Sequence, residues 1–291
     1  MLVVIIVLCV LIAFGVWEYQ VHLHNVRHVP LRVHVNGTRG KSSVTRLVAA
    51  GLRAGGIPTC AKTTGSRPRM ILEDGREYTV QRQGRANIIE QVRAISTAAR
   101  RKAKAIVVEC MALNPTLQHL SEKMMVKSTI GAITNARPDH LDVMGPAVED
   151  VARALTGTIP KRATVVTAET NPALLKILRH GARVKNTELL NATPEGLGVT
   201  EEMLRGFSYV EHPENVALAL KVCELAGVAP EVALRGMHAA EPDIGVLRIV
   251  HLAFYAKEID FINAFAANDP ESTLFIWNRV LRLFPDERKR V

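Results

Sequence analysis

The sequence is poor in aromatic residues and in cysteine, and it shows no internal repeat and no low-complexity segment. Aromatic side chains make up 4% of the chain, while Ala, Val, Leu and Ile dominate, which favours α/β layers over a β-sandwich. The four cysteines are far apart and lack paired spacing, which argues against a zinc site or a disulfide framework and favours a reducing compartment. At 291 residues the chain can bury a sizeable core, and two domains are expected.

Acidic residues are outnumbered, because 37 Lys and Arg against 28 Asp and Glu give a net charge of +9. Much of the excess lies in Arg82–Lys104 and Arg282–Arg290, with almost no aromatic residue between the cations. Such runs usually form a solvated face; an anionic ligand or membrane headgroups are the functional alternative, and nucleic acid is favoured least. We therefore expect no nucleic-acid partner.

The chain begins with an uninterrupted apolar run, Met1–Trp17, slightly short of the roughly 20 residues that span a bilayer. It lacks preceding basic residues and a following small-x-small site, which argues against a cleaved signal peptide. Positive charges follow at Arg27 and Arg32. The positive-inside bias therefore predicts a transmembrane helix within residues 1–24, with the rest of the chain in the cytoplasm. A buried strand or core helix is the alternative.

The stretch 31–52 predicts a strand, a glycine loop and a helix. Apolar residues alternate at Leu31, Val33 and Val35, the loop Gly37–Ser43 follows, and helical spacing begins after it. Glycines let backbone N–H groups surround a phosphate, the helix N-terminus and the lysine add positive charge, and the serine hydroxyl can bind Mg²⁺. Position 35 lacks the glycine of the full Walker pattern, so a glycine turn capping an ordinary helix is the alternative. The flanking strand and helix favour a nucleoside triphosphate site.

Two further apolar strands are predicted to end in polar side chains. The strand 105–108 ends in Glu109, and the strand 129–134 ends in Asn135, which the cluster Asp139–Asp142 follows. In an open α/β sheet, ligands bind beyond the carboxyl ends of the strands. A carboxylate there is a sensible Mg²⁺ ligand beside a triphosphate, whereas a helix cap or an ion pair is the alternative for Glu109.

Strands and helices alternate through most of the chain, which predicts an α/β fold with a parallel sheet covered by helices on both faces. A hairpin is predicted around Asp74-Gly75, and a capping box at Asn87 and Glu90 opens a helix. The other predicted elements are strands at 57–61, 163–167, 182–184, 247–253 and 258–264 and helices at 172–178, 212–226, 230–238 and 274–283, with one more starting at Pro146.

Taken together and in this order, the motifs resemble the Mur-type amide ligases, and among them the membrane-anchored ligase subunit of poly-γ-glutamate (capsule) synthase. Gly37–Ser42 is similar to their G-T-x-G-K-[ST] loop, Glu109 to their strand-end glutamate, and Thr134–Asp142 to their T-N-x-x-x-D-H-L-D signature. His212–Asn215 is similar to the start of their H-x-x-N-x-x-A-A helix, and Phe265–Ser272 to the first strand-to-helix loop of their carboxy-terminal domain.

The resemblance implies a P-loop Mur-ligase central domain over residues 28–245 and a Rossmann-like domain over 246–291. It implies ATP and Mg²⁺ as cofactors, with Ser42, Glu109 and His140 at the metal. Lys41, Glu109 and His140 would serve catalysis, and a plain surface histidine is the alternative for His140. The residues implied to bind the nucleotide are Gly37, Thr38, Arg39, Gly40, Lys41, Ser42, Ser43, Asn135 and Asn215, the last beside adenine.

Three departures from the family pattern refine this expectation. An apolar anchor stands where the family has a UDP-binding domain, which favours the polyglutamate branch. The carbamylated lysine of many Mur ligases would fall near Ala154, so a second metal held that way is not expected. The carboxy-terminal Rossmann-like domain is expected to be incomplete, because one strand-loop-helix unit is followed directly by Pro285–Val291.

The expected function is ATP-dependent amide ligation, in which an acyl phosphate forms on the γ-carboxylate of a glutamate chain and an incoming glutamate attacks it. The expected partners are glutamate, poly-γ-glutamate, integral membrane subunits of a synthase and the lipid bilayer. Lys62, Arg67 and Arg69 are candidates for contacting the polyanionic product. The alternatives are a ligase similar to folylpolyglutamate synthase, a P-loop ATPase that energises export or assembly, and a catalytically inactive membrane scaffold.

Overall fold

An eight-stranded sheet lies at the centre of the computed structural model, which describes residues 1–65, 67–82, 84, 86–243, 246–255, 257–263 and 270–284. The strands are β1 (Leu31–Asn36), β2 (Thr59–Thr63), β3 (Arg69–Ile71), β4 (Glu77–Thr79), β5 (Ala105–Glu109), β6 (Ile130–Ile133), β7 (Thr164–Thr167) and β8 (Glu188–Asn191). They lie in the order β4-β3-β2-β5-β1-β6-β7-β8. The strands from β2 across to β8 are parallel, and β3 and β4 add an antiparallel edge.

The helices of the described residues connect these strands and extend beyond them. They are α1 (Leu2–His28), α2 (Lys41–Ala54), α3 (Glu90–Arg100), α4 (Pro115–Leu120), α5 (Leu141–Met144), α6 (Val148–Leu155), α7 (Pro172–Val184), α8 (Glu201–Arg205), α9 (Pro213–Leu225), α10 (Pro230–His238) and α11 (Pro270–Leu283). A π-helical segment, Ser121–Val126, continues α4. A separate antiparallel pair, β9 (Arg248–Phe254) and β10 (Lys257–Asn263), precedes α11.

Alternation along the strands divides the core between the two faces of the sheet. On one face, Val33 and Val35 of β1 belong to one apolar cluster with Leu47 of α2, Leu218 of α9 and Met237 of α10. The opposite face is covered by α3, α6 and α7, whose apolar side chains pack in two further clusters. The predicted α/β sheet with helices on both faces is therefore confirmed.

The strand order places β1 between β5 and β6, in the middle of the parallel part of the sheet. These are the three strands whose carboxyl ends lead into the glycine loop, Glu109 and Asn135. Parallel strands end at one edge, so the three chemistry-bearing ends are neighbours. This adjacency is what assembles the site.

Helix α1 is a candidate membrane span by its length and composition, with an 18-residue window of mean hydropathy 2.6. Its apolar first half is exposed, whereas its last turns pack on the domain. The buried ring of His22 hydrogen-bonds the Met125 carbonyl at 2.8 Å, and Val26 lies in the core beside α3. The exposed apolar segment and the turns that pack on the domain therefore belong to one continuous helix.

Several predicted boundaries move, and one predicted strand is wrong. The hairpin around Asp74-Gly75 is confirmed as β3 and β4. The predicted strand 182–184 is instead the last turn of α7, where Ala182 is buried against the sheet. The strand that pairs with β7 comes later, at β8, whose half-exposed edge position explains its weak apolar signal.

Two other predictions shift at helix starts. The capping box at Asn87 gives a turn, in which the Asn87 side chain accepts a hydrogen bond from the Ile89 amide, and α3 begins only at Glu90. Helix α11 begins four residues before the predicted 274. The loop Phe265–Ser272 lies mostly outside the described residues.

A buried ion pair lies under β1, on the face opposite α2. His34 Nδ1 is 2.8 Å from Glu122 Oε2, and Glu122 also accepts hydrogen bonds from the amide and hydroxyl of Ser128. Burial alone would lower the pKa of His34, but its interactions with Cys110 and Glu122 outweigh burial and raise the pKa to about 9. His34 is therefore protonated at neutral pH, beside the carboxyl group of Glu122.

This pair should make the free energy of unfolding depend on pH. Because the folded pKa of His34 exceeds the unfolded value of about 6.5, its contribution is complete below pH ~6.5 and is lost as the pH rises towards 9. Glu122→Gln should lower the free energy of unfolding by about 3 kcal/mol at pH 6 and remove this loss. Denaturant unfolding in detergent at pH 6, 7.5 and 9 measures the free energy of unfolding and its pH dependence. A substitution at an exposed position, Glu201→Gln, is the control. Parallel pH profiles for Glu122→Gln and the parent would contradict the assignment.

Candidate functional site

The glycine loop between β1 and α2 needs glycine at two positions. Gly37 and Gly40 have φ values of 131° and 81°, a region that side chains rarely adopt. A Cβ at Gly37 would lie 2.0 Å from Thr134 Oγ1, and a Cβ at Gly40 would lie 2.4 Å from Asn215 Oδ1. The loop is therefore pressed between the end of β6 and the start of α9.

The N-terminus of α2 presents positive charge at this loop. Helix α2 has no acidic residue in its first turn, so its dipole is not neutralised there. Lys41 Nζ donates hydrogen bonds to the carbonyls of Gly37 (2.7 Å) and Thr38 (3.0 Å), which holds the ammonium over the loop. Ser43 follows in the same helical turn. Glycine backbone, helix terminus and lysine together can bind an anion.

Glu109 reaches the loop from the neighbouring strand. It lies opposite Val35 in the β5–β1 register, so its side chain points to the face that α2 covers. Glu109 is 2% exposed, and its Oε2 accepts hydrogen bonds from Ser42 Oγ (2.9 Å) and the Thr64 amide (2.6 Å). The structure thus brings the predicted serine and the predicted strand-end carboxylate into direct contact.

Asn135 lies on the other side of the loop. Its Oδ1 accepts hydrogen bonds from Thr38 Oγ1 (2.7 Å) and from the Arg39 amide (3.1 Å), and its carbonyl accepts from the Thr38 amide (3.0 Å). Asn135 therefore fixes the backbone of the glycine loop. Whether it also contacts nucleotide stays a prediction.

His140 lies farther out, on the segment between β6 and α6. Its side chain is 49% exposed, and Nε2 is 3.7 Å from Asp139 Oδ1. Asp139 in turn lies 3.8 Å from an Arg39 nitrogen, so this segment is near the glycine loop. Among the described contacts, His140 is not joined to Ser42 or Glu109. Its place at a metal stays a prediction.

Asn215 is buried at the start of α9 and packs on Gly40. Its Nδ2 donates to Glu211 Oε1 at 2.8 Å, and the same carboxylate accepts hydrogen bonds from the His212 amide (2.8 Å) and the Tyr209 hydroxyl (3.0 Å). Burial raises the pKa of Glu211, although these hydrogen bonds oppose the shift. Glu211 thus sets the orientation of the Asn215 amide, leaving Oδ1 towards the loop.

Three acidic residues at this site were not predicted from the sequence. Glu169 follows β7 and its Oε2 accepts from the Ala136 amide at 2.8 Å; the strand-end signal that found Glu109 would also have found it. Glu211 directly precedes the His-x-x-Asn pattern. Asp243 follows α10, and its Oδ2 and Ser42 Oγ would lie 2.6 Å and 2.7 Å from a Cβ at Gly65; no local pattern indicates this approach.

The basic residues that follow β2 are arranged differently from the expectation. Lys62 is 1% exposed and its Nζ lies 2.8 Å from Glu90 Oε2, a carboxylate that Arg82 also binds. It is therefore not an exposed contact for a polyanion. Arg67 is exposed, and Arg69 lies near Glu77.

The donor set at Ser42 suits a small divalent cation. No group of three or more His, Cys, Asp and Glu side chains that could hold a metal by itself occurs in the described part of the chain. A hydroxyl and one or two carboxylates next to an anion site are instead what Mg²⁺ uses when phosphate oxygens and water complete its shell. The space beside them is narrow, because a Cβ at Gly65 would lie 2.7 Å from Ser42 Oγ.

A glycine loop at the head of α2, closed by a strand-end carboxylate, defines a P-loop α/β protein. Residues 35–241 match the model of the Mur ligase middle domain, and the chain belongs to this family. Residues 249–291 match the model of the poly-gamma-glutamate synthase CapB C-terminal domain.

Two curated relatives cover nearly the whole chain. The chain is 41% identical over 272 residues to the capsule biosynthesis protein CapB of Bacillus anthracis, covering 93% of this chain and 58% of that protein. It is 40% identical over 278 residues to the PGA synthase CapB of Bacillus subtilis (strain 168), covering 95% of this chain and 70% of that protein. The chain thus spans little more than half of the first relative.

Solved structures share the fold at low sequence identity. An FPGS–AMPPCP complex superposes with a TM-score of 0.66 at 14% identity, covering 92% of this chain and 77% of that one. The bifunctional folylpolyglutamate synthase/dihydrofolate synthase of Yersinia pestis, complexed with AMPPNP and Mn ion, superposes with a TM-score of 0.67 at 18% identity. The match covers 92% of this chain and 70% of that one. At such identities the likeness establishes the fold.

The contact between Glu211 and Asn215 leads to a binding prediction. Glu211→Ala removes the acceptor that orients Asn215 against the loop, so the affinity for an ATP analogue should fall about tenfold, or ~1.4 kcal/mol. Glu211→Gln keeps an acceptor oxygen, so its affinity for the ATP analogue should fall less. Calorimetric titration with AMPPNP measures this, and the exposed neighbour Glu214→Ala serves as control. Equal affinity in Glu211→Ala and the control would show that Glu211 does not support the site.

Proposed function

We propose that this chain is an ATP-dependent amide ligase that joins glutamate units through the γ-carboxyl group in poly-γ-glutamate synthesis. The observation that supports this most is the contact of Ser42 and Glu109 at the head of α2, which supplies a triphosphate site with a carboxylate for a cation. The 40% identity to a PGA synthase and the match of residues 249–291 support glutamate as the substrate.

In this proposal the glycine loop and the first turn of α2 bind the phosphates of ATP. Lys41 would leave the Gly37 and Thr38 carbonyls and neutralise charge on the transferred phosphoryl group. Ser42 and Glu109 would hold Mg²⁺, with His140 as a further candidate ligand. When bound, Mg²⁺ supplies charge neutralisation and orientation of the phosphates. Asn215 would seat the adenine.

The γ-phosphoryl group of ATP would be transferred to the γ-carboxylate at the end of a glutamate chain, which gives an acyl phosphate and releases ADP. The amine of an incoming glutamate would attack the acyl carbon, form the amide and release phosphate.

The exposed apolar half of α1 supports a single membrane span with the rest of the chain in the cytoplasm, where ATP is available. Because the helix continues into the docked segment around His22, the ligase would be held close to the bilayer. Integral membrane subunits of a synthase are the proposed partners. We propose domain limits of 28–245 for the central domain and 246–291 for the C-terminal one.

Lys41→Ala should reduce turnover about 100- to 1,000-fold, as expected when a group that stabilises transition-state charge is lost. The assay uses the detergent-solubilised full chain with ATP, Mg²⁺ and labelled glutamate, and follows ADP release and incorporation into polymer. Lys161 is exposed and lies before β7, at the amino ends of the strands. Lys161→Ala should therefore retain the parent rates.

The same assay separates the alternatives. Glutamate-independent ATP hydrolysis without incorporation would favour the P-loop ATPase, and binding of AMPPNP without any turnover would favour the inactive scaffold. Incorporation only onto a free pteroate-type acceptor would favour a ligase similar to folylpolyglutamate synthase. If the parent forms neither polymer nor ADP and Lys41→Ala behaves identically, the proposal is wrong.

A further inference from the structure

Asp243 brings a second carboxylate to the serine of the glycine loop. It lies between α10 and β9, 7% exposed, and its Oδ2 would be 2.6 Å from a Cβ at Gly65. Ser42 Oγ would lie 2.7 Å from the same point. The carboxylate and the hydroxyl therefore converge on Gly65, and the Ser42 hydroxyl already contacts Glu109.

The other oxygen of this carboxylate is buried without a partner. Asp243 Oδ1 is shielded from solvent and makes no hydrogen bond within the described residues. A buried carboxylate is costly unless it is hydrogen-bonded or faces a cation. Among the salt bridges of the described residues, Lys62 is paired with Glu90 at 2.8 Å, and none joins Asp243 or Glu109 to a basic side chain. An added cation would give the unpartnered oxygen of Asp243 the partner that the described residues do not provide.

The segment that carries Asp243 is held on the P-loop helix. Arg46 of α2 is buried, and its Nη1 donates to the Glu241 carbonyl at 3.1 Å and to Glu77 Oε2 at 2.8 Å. This contact fixes the backbone two residues before Asp243. The contact between Arg46 and the Glu241 carbonyl thus positions the Asp243 carboxylate near Ser42.

We propose that Asp243 supplies a second carboxylate, beside Glu109, to the divalent cation that binds with the nucleoside triphosphate. The proposal rests on the proposed function, since it assigns a further ligand to the same site. Mg²⁺ in such sites takes one or two carboxylates with phosphate oxygens and water, and Mn²⁺ accepts the same oxygen donors. Through Asp243, the segment that leads to β9 would be tied to the bound nucleotide.

The test compares Asp243→Asn with Glu231→Gln, which removes one negative charge from the exposed start of α10. Mn²⁺ is titrated into the detergent-solubilised full chain in the presence of AMPPNP, and free Mn²⁺ is followed by electron paramagnetic resonance. Asp243→Asn should weaken Mn²⁺ binding about 10- to 100-fold, while AMPPNP affinity in EDTA is unchanged. Unchanged Mn²⁺ affinity, or an equal loss of AMPPNP affinity in EDTA, would overturn the proposal.

Thermal unfolding provides a readout that does not depend on turnover. A neutral amide costs less to bury without a partner than a carboxylate does, so Asp243→Asn in EDTA should melt at a higher temperature than the parent. The melting temperature of the parent should then rise more on addition of Mn²⁺ with AMPPNP than that of the variant does. A lower melting temperature of Asp243→Asn in EDTA would contradict the assignment. If the parent makes polymer but Asp243→Asn binds Mn²⁺ normally, the assignment of Asp243 fails and the ligase function stands.

Discussion

The structure depends on one carboxylate oxygen, Glu109 Oε2, which accepts hydrogen bonds from Ser42 at the head of α2 and from the Thr64 amide after β2. These contacts join three segments that are distant in sequence. A buried carboxylate must be hydrogen-bonded, so the position of α2 relative to β5 is tightly restricted. The restriction also determines where a phosphate can approach, because the helix terminus and the carboxylate face the same space.

Close backbone approach is the second constraint, and it explains the glycines of the loop. At Gly37 and Gly40 a side chain would collide with Thr134 and Asn215, so β6 and α9 come as near to the loop as the backbone allows. Asn135 then replaces solvent as the partner of the loop amide and hydroxyl groups. The loop is thereby held in shape by protein contacts, which reduces the entropy lost when a ligand orders it.

Charged side chains are buried on both sides of the sheet, and each of them is stabilised by different partners. His34 and Glu122 form an ion pair beneath β1, and Lys62 pairs with Glu90 at the end of β2. Glu211 is satisfied by the groups around it, including Asn215. Removing one partner from such pairs leaves an uncompensated charge, which is costly in a dry interior. The carboxylates around Ser42 are the exception, since no salt bridge among the described residues involves Glu109 or Asp243.

The sequence by itself determined the α/β class, the glycine loop and the strand-end residues Glu109 and Asn135, because apolar periodicity and strand ends are local patterns. It failed at residues 182–184, where a helix end and a short strand look alike, and at the edge strand β8, which has little apolar surface to signal it. Only the tertiary structure placed Asp243 beside Ser42 and left His140 at the surface. Such contacts depend on how α10 packs on α2 and how the loop after β6 turns, and neither leaves a periodic trace in the sequence.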